Sequence, residues 1–211
     1  MPETSTPDEH PRPGLRERKK ALTHRTIADA AFDLTIEHGL EGVTIDQIAD
    51  RAFVSPRTVS NYFTSKEAAI IAARNNAPVE LLHGLEERPA DETPLRSLRS
   101  VMTTAIRAWG KEQLEALKAK EELIMRYPAL LPHRMAQYDE LEDAIRIAIA
   151  ERTGTDAETA PYPRLIAGAA STAVKTAIRV WDTTGGDAGA IADLVDEAFD
   201  ELEAGLSPDV A

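Results

Sequence analysis

Three hydroxyl residues constrain this chain more than any other feature. Thr44, Ser55 and Ser65 lie within the stretch TIDQIADRAFVSPRTVSNYFTSKE, which runs from Thr44 to Glu67. Each stands where its side-chain oxygen can accept from the first turn of a helix. Gln47 lies three residues after Thr44, as a reciprocal capping box requires. Pro56 follows Ser55, and its fixed φ suits the first helical position. Two helices of one to two turns are therefore expected between Thr44 and Phe63, with a third opening at Ser65.

Helices this short bury little by themselves. The preceding segment, LRERKKALTHRTIADAAFDLTIEHG, supplies a longer partner. Its residues Leu22, Ile27, Ala30, Ala31, Leu34 and Ile36 recur near helical spacing, and Gly39 is suited to a left-handed cap. The remainder of the chain also reads as helix, over 93–109, 112–126, 131–152, 162–181 and 187–204. No stretch alternates with period two long enough to require a strand. The expectation is an all-α protein with a small tri-helical domain at 14–70 and a helical domain at 71–205. Pro78 predicts a kink or junction after the helix opened by Ser65. Residues 1–13 are polar and proline-rich.

Composition narrows the function classes. The chain has 211 residues and no cysteine, so disulfides and thiolate metal sites are excluded. Its beginning lacks the basic-then-apolar order of a signal peptide. The richest apolar window, RLIAGAASTAVKTAIRVW, carries Arg164, Lys175 and Arg179, which argues against a membrane span. A cytoplasmic location is expected. The five histidines, at 10, 24, 38, 83 and 133, have no partner at metal-ligand spacing, and neither a phosphate-binding loop nor a catalytic signature is present. No enzyme activity, metal or cofactor is expected.

The formal net charge is −12, yet it is unevenly spread. Residues 12–25 hold six basic residues against one acidic, whereas residues 76–211 hold fourteen Lys/Arg and twenty-five Asp/Glu. A positive surface on an otherwise acidic body is compatible with polyanion binding; a solvated helix start is the other reading. The helix opened by Ser55 is slim enough for a DNA major groove. Pro56, Arg57, Ser60 and Asn61 are its expected outward residues. Arg suits guanine edges and Asn suits adenine edges. Thr44, Ser55, Tyr62 and Lys66 carry groups suited to phosphate oxygens. A helical hairpin with a decorated surface, serving as a protein-interaction or adaptor module, is the alternative.

Residues 23–70 resemble the DNA-binding domain of the TetR family of bacterial transcriptional regulators. The resemblance rests on EHGLEGVTIDQIADRA followed by VSPRTVSNYFTSKEAAI, and in particular on Gly39, Thr44, Ile48, Ala49, Ala52, Val54, Ser55, Thr58, Val59, Tyr62, Phe63 and Lys66. It implies a helix-turn-helix reader, a homodimer on a palindromic operator, and a helical body whose small-molecule effector releases DNA. By motif position, Arg57, Ser60 and Asn61 would read bases, with Pro56 near the groove floor. Thr44, Ser55, Tyr62 and Lys66 would touch phosphates. The basic run containing Arg16, Lys19, Lys20 and Arg25 would approach the flanking backbone.

Two positions depart from the family pattern. Phe53 stands in the turn where glycine is usual. Either the turn is re-angled, or it stores about 1 kcal/mol or more of strain that inward packing of the ring would recover. Tyr62 stands where many members have histidine, and its hydroxyl preserves a phosphate contact.

In the body, the family pattern implies a dimer seam from the last two helices. Leu165, Ala169, Ala173, Ile178, Leu194 and Phe199 are its expected members. Met102, Ile106, Trp109, Leu123, Tyr127, Tyr138 and Leu141 are candidate walls of an effector pocket, although ordinary core packing is the competing reading for each. The acidic surplus either favours a cationic ligand or is a solubilising face.

Overall fold

The structure is a computed structural model that describes residues 14–74 and 81–206. The Pro78 expectation lies outside those residues. The chain divides into two compact units, Met1–Ala73 and Arg74–Ala211. Among the described residues the regular elements are all helical.

The first unit contains α1 (Leu15–His38), α2 (Ile45–Arg51), α3 (Pro56–Tyr62) and α4 (Lys66–Ala72). The hydroxyl residues act as the sequence implied. Thr44 accepts from the Gln47 amide while the Gln47 side chain accepts from the Thr44 amide. Ser55 accepts from Thr58, and Ser65 from Ala68. Each cap satisfies an amide that the first helical turn leaves without a partner. The core is Ile27, Ala31 and Phe32 of α1, Ile48 and Ala49 of α2, Val59 of α3 and Ile70 of α4. Leu22 and Ile36, expected on the inner face of α1, are exposed instead. Leu22 precedes the point at which α1 meets the other helices, and Ile36 falls on the outer side of the stripe set by Ile27, Ala31 and Leu34.

The α2–α3 turn closes as a Schellman motif. The Val54 amide donates to the Ala49 carbonyl at 3.0 Å and the Phe53 amide to Asp50 at 3.2 Å. Phe53 occupies the left-handed position with φ 55°. Its ring is 95% exposed, so the expected inward packing does not occur. The motif points the side chain away from the core, which leaves the backbone strain without a compensating contact. Phe53→Gly is therefore expected to raise unfolding free energy by about 1 kcal/mol, the usual penalty for a side chain in this region less the extra flexibility of unfolded glycine. Urea denaturation reads the change; a loss of stability would contradict strain at this turn.

The second unit contains α5 (Pro94–Arg107), α6 (Lys111–Arg126), a 3-10 turn at Pro128–Leu130, α7 (Leu131–Thr153), α8 (Pro161–Thr184) and α9 (Ala188–Glu203). α8 packs on α7 and α9, and α9 also packs on α5. Leu98, Met102, Ile106, Ile145, Ile149, Ile191, Val195 and Phe199 fill the space between them. Ala167, Ala170, Ala173 and Ala177 are buried along α8, so its small residues let helices approach within one chain. Arg99 bonds Asp196 at 2.8 Å and also Asp200, while Arg107 bonds Asp193 at 2.6 Å. The basic face of α5 thus offsets part of the acid on α9. No described helix is long and apolar enough to cross a membrane.

Candidate nucleic-acid interface and effector cavity

α3 turns one side inward and presents the other to solvent. Val59 and the capping residue Phe63 are buried, whereas Pro56, Arg57, Ser60 and Asn61 are exposed. The spacing explains the split, because positions 56, 57, 60 and 61 share a helix face. His24 of α1 lies against Phe63, with ring centroids 4.4 Å apart, and helps fix the end of α3. The Ser60 hydroxyl donates to the Pro56 carbonyl at 3.2 Å. The guanidinium of Arg57 and the amide of Asn61 are thereby carried on a short rigid element with a locked start.

The four expected phosphate contacts are placed differently from one another. Thr44 and Ser55 are exposed at the starts of α2 and α3, but their hydroxyls already serve their caps. The Thr44 hydroxyl donates to Gln47 Oε1 at 3.1 Å, and Ser55 Oγ shares a hydrogen bond with Thr58 Oγ1 at 2.8 Å. Tyr62 is half-buried at the end of α3. Lys66 is half-buried as well, and its ammonium donates to the carbonyls of Leu40 and Val43 at 2.7 and 2.8 Å. Two of its three donors therefore tie the α1–α2 loop to α4, and one remains for a phosphate. Sequence reasoning missed this bracing role.

Arg16, Lys19, Lys20 and Arg25 are all exposed on the first half of α1. From Leu15 to Thr26 that helix is almost wholly solvated, a length of roughly 18 Å at 1.5 Å per residue. Near its other end, Glu37 pairs with Arg51 through two bonds of 3.0 and 2.7 Å. The Arg51 hydrogen bond holds the Glu37 carboxyl below its usual range.

The second unit holds a cavity of about 80 Å³. By the measure on which ~10–15 Å³ admits one water, it has room for a small organic molecule. Of the candidate pocket residues, Trp109, Tyr138 and Leu141 line it. Met102, Ile106 and Leu123 do not; they are packed in the interior, and Tyr127 stands half-buried elsewhere. An apolar side chain at helical spacing marks a buried face, which is core wherever no void lies beside it. The other walls come from Gln113, Leu117 and Lys120 of α6, Arg134 and Gln137 of α7, and Val174 and Ile178 of α8, with Arg74 and Leu81. The buried cations Lys120 of α6 and Arg134 of α7 are the signal that apolar periodicity overlooks. Among the described residues the cavity wall carries the cations Arg74, Lys120 and Arg134 and no acid.

Three expected seam residues are corrected by the structure. Ala173, Ile178 and Phe199 are buried within one chain, and Ile178 also borders the cavity. Leu165 is 70% exposed, and Ala169 and Leu194 are half-buried. Thr172, Thr176 and Val180 continue an uncharged outward stripe from Leu165 and Ala169 along α8. Among the described residues no group of three or more His, Asp or Glu could hold a metal ion.

Comparison with known proteins agrees with this geometry in both units. Residues 27–73 match the profile described as bacterial regulatory proteins, tetR family, and residues 92–207 match the MftR C-terminal domain. The HTH-type transcriptional regulator TcmR of Streptomyces glaucescens is 30% identical, over 98% of this chain and 96% of that protein. The HTH-type regulator YdeS of Bacillus subtilis is 45% identical over 49 residues, 23% of this chain and 25% of that one. Among solved structures, FadR of Thermus thermophilus, a TetR-family repressor in complex with lauroyl-CoA, is similar in fold. It has a TM-score of 0.50 at 23% identity, over 89% of this chain and 97% of that one.

Proposed function

The chain belongs to the TetR family of bacterial transcriptional regulators and is a DNA-binding regulator; from that premise we propose that it is a homodimeric repressor, released from a palindromic operator by a small molecule. The observation that carries the reading is the exposed face of α3. Arg57 and Asn61 are the residue types that read purine edges, and the helix exposes them beside Pro56 and Ser60. Two copies related by a two-fold axis would meet half-sites about one helical turn apart.

Phosphate contacts in this proposal come from Thr44, Ser55, Tyr62 and Lys66, and from Arg16, Lys19, Lys20 and Arg25 on the solvated half of α1. A phosphate oxygen replaces Gln47 Oε1 as acceptor of the Thr44 hydroxyl. The dimer forms through the uncharged outward stripe of α8 and the neighbouring face of α9, with Leu165, Ala169 and Leu194 as members. The second unit supplies the effector cavity; the FadR structure with lauroyl-CoA is a precedent for a ligand in this fold. Ligand need favour the non-binding arrangement of the two reader helices by only a few kcal/mol. The protein acts where the chromosome is, in the cytoplasm.

Salt dependence tests the reading at once. With six or more phosphate contacts per dimer, log affinity for operator DNA should fall against log salt with a slope of about −5 or steeper. A titration between low and physiological salt that gives a flat line would sink the proposal, because a protein-interaction module has no counterions to release from DNA.

A further inference from the structure

We propose that Phe53 is a further DNA-contacting residue, and that its ring packs against a deoxyribose of the groove wall when α3 enters the major groove. The inference rests on the reading of α3 as the base-reading helix. It adds a contact that a glycine in this turn could not make.

Two costs meet at one residue. Phe53 takes φ 55°, in the left-handed region that penalises most side chains and spares glycine and asparagine. Among the described residues of the first unit, no other non-glycine residue has a positive φ. Its ring is 95% exposed, more than any other large apolar side chain among the described residues. A lone exposed apolar residue is ordinary. One held in a penalised conformation, with almost none of its surface covered in return, is not. Such strain collects where a protein meets its ligand.

The turn sets the ring beside the reading helix. Phe53 stands two residues before Ser55, so its Cα lies within about 7 Å of the cap of α3. Ser55, Pro56 and Arg57 are exposed one after another from that cap, and the bonds from the Phe53 and Val54 amides fix the turn that precedes it. In a helix-turn-helix the second helix enters the groove by its N-terminal residues, while the first crosses the backbone. A helix roughly 10–12 Å across fills a groove about 12 Å wide. A side chain that stands outside the helix, where the two helices join, therefore meets the sugar-phosphate wall rather than a base edge. The C–H edges of deoxyribose are the apolar part of that wall. The neighbouring cation, Arg51, is bonded to Glu37 through both terminal nitrogens at 3.0 and 2.7 Å, so the turn offers the wall a ring rather than a charge.

The experiment measures the affinity of the full-length protein for two duplexes across a salt series. One duplex is enriched from a random pool by the wild-type protein, and the other has the same composition in scrambled order. Phe53→Gly and Phe53→Asn remove the ring but suit the left-handed turn; Phe53→Tyr keeps the ring. The Gly and Asn variants should bind both duplexes about fivefold more weakly per protomer, the effect of leaving about 40 Å² of apolar surface uncovered. Base preference should be unchanged. The slope of log affinity against log salt should match wild type, because an apolar contact releases no counterions. The Tyr variant should bind like wild type. Phe53→Gly should at the same time resist urea better, so its weaker binding cannot come from a poorly folded domain. Gly and Asn variants that bind both duplexes as tightly as wild type overturn the inference and leave the reading of α3 intact. A loss confined to the enriched duplex, with altered preference at one base pair, makes Phe53 a base reader and overturns the backbone assignment. A wild-type protein that binds neither duplex at low salt overturns the reading of α3, and this contact with it.

Discussion

Arg57→Ala should cost the operator complex about 1–3 kcal/mol per half-site and relax base preference at one position in each. Both protomers of a dimer carry the change, so the loss in the whole complex is about twice that figure if the half-sites act independently. The reason is geometric. Arg57 is exposed at the second residue of α3, next to Pro56, whose ring fixes the start of the helix. Truncation removes a bidentate donor without disturbing Val59 or Phe63, which hold α3 to the core. Folding should therefore be unchanged while affinity and preference both fall. Electrophoretic competition with single-base operator variants measures the two effects separately. Unchanged preference with uniformly weaker binding would make Arg57 a phosphate contact rather than a base reader.

Phe199→Ala should lower the unfolding free energy by about 3–5 kcal/mol, the usual cost of emptying a fully buried aromatic site. Phe199 is 0% exposed within one chain and joins the same core as Ile191 and Val195. Its loss leaves a cavity between α9 and its neighbours. Guanidinium denaturation at fixed protein concentration gives the stability change, since a dimer's stability depends on concentration. Sedimentation of the folded variant should show dimer affinity little altered. The opposite pattern, an intact protomer with weakened dimerisation, would place Phe199 at a seam between copies.

That contrast marks how far sequence carries the fold. Caps and turns are local, so Thr44 with Gln47, Ser55 with Pro56, and Ser65 are all legible from neighbours a few residues away. The helices of the second unit are legible for the same reason, from periodic apolar residues bounded by Pro and Gly. Partners of a buried face are not local. The spacing of Ala173, Ile178 and Phe199 reveals that they are covered but not whether the cover is the same chain or another. Phe53 shows the same limit: the left-handed turn is foreseeable where glycine is usual, but the direction of the ring follows from how the turn sits on the core.

The candidate sites divide along the same line. Outward residues of α3 follow from the cap and the helical period, so Pro56, Arg57, Ser60 and Asn61 are found without coordinates. The bracing role of Lys66 is not, because its acceptors, Leu40 and Val43, lie more than twenty residues away in the chain. Residue type does not separate a cavity wall from packed core, which is why Met102, Ile106 and Leu123 read as wall candidates although they are buried away from this cavity. Polarity at a core register does separate them. Lys120 and Arg134 are buried on α6 and α7, where apolar residues are the rule, and both border the cavity.

Selection of bound fragments from a random pool of duplex DNA, with the wild-type protein at moderate salt, tests the central claim most directly. An exposed α3 in a two-fold dimer predicts enrichment of an inverted repeat whose half-sites are centred about one helical turn, or a whole multiple of it, apart. A pool that emerges without any enriched motif, or with a single unrepeated site, would contradict it.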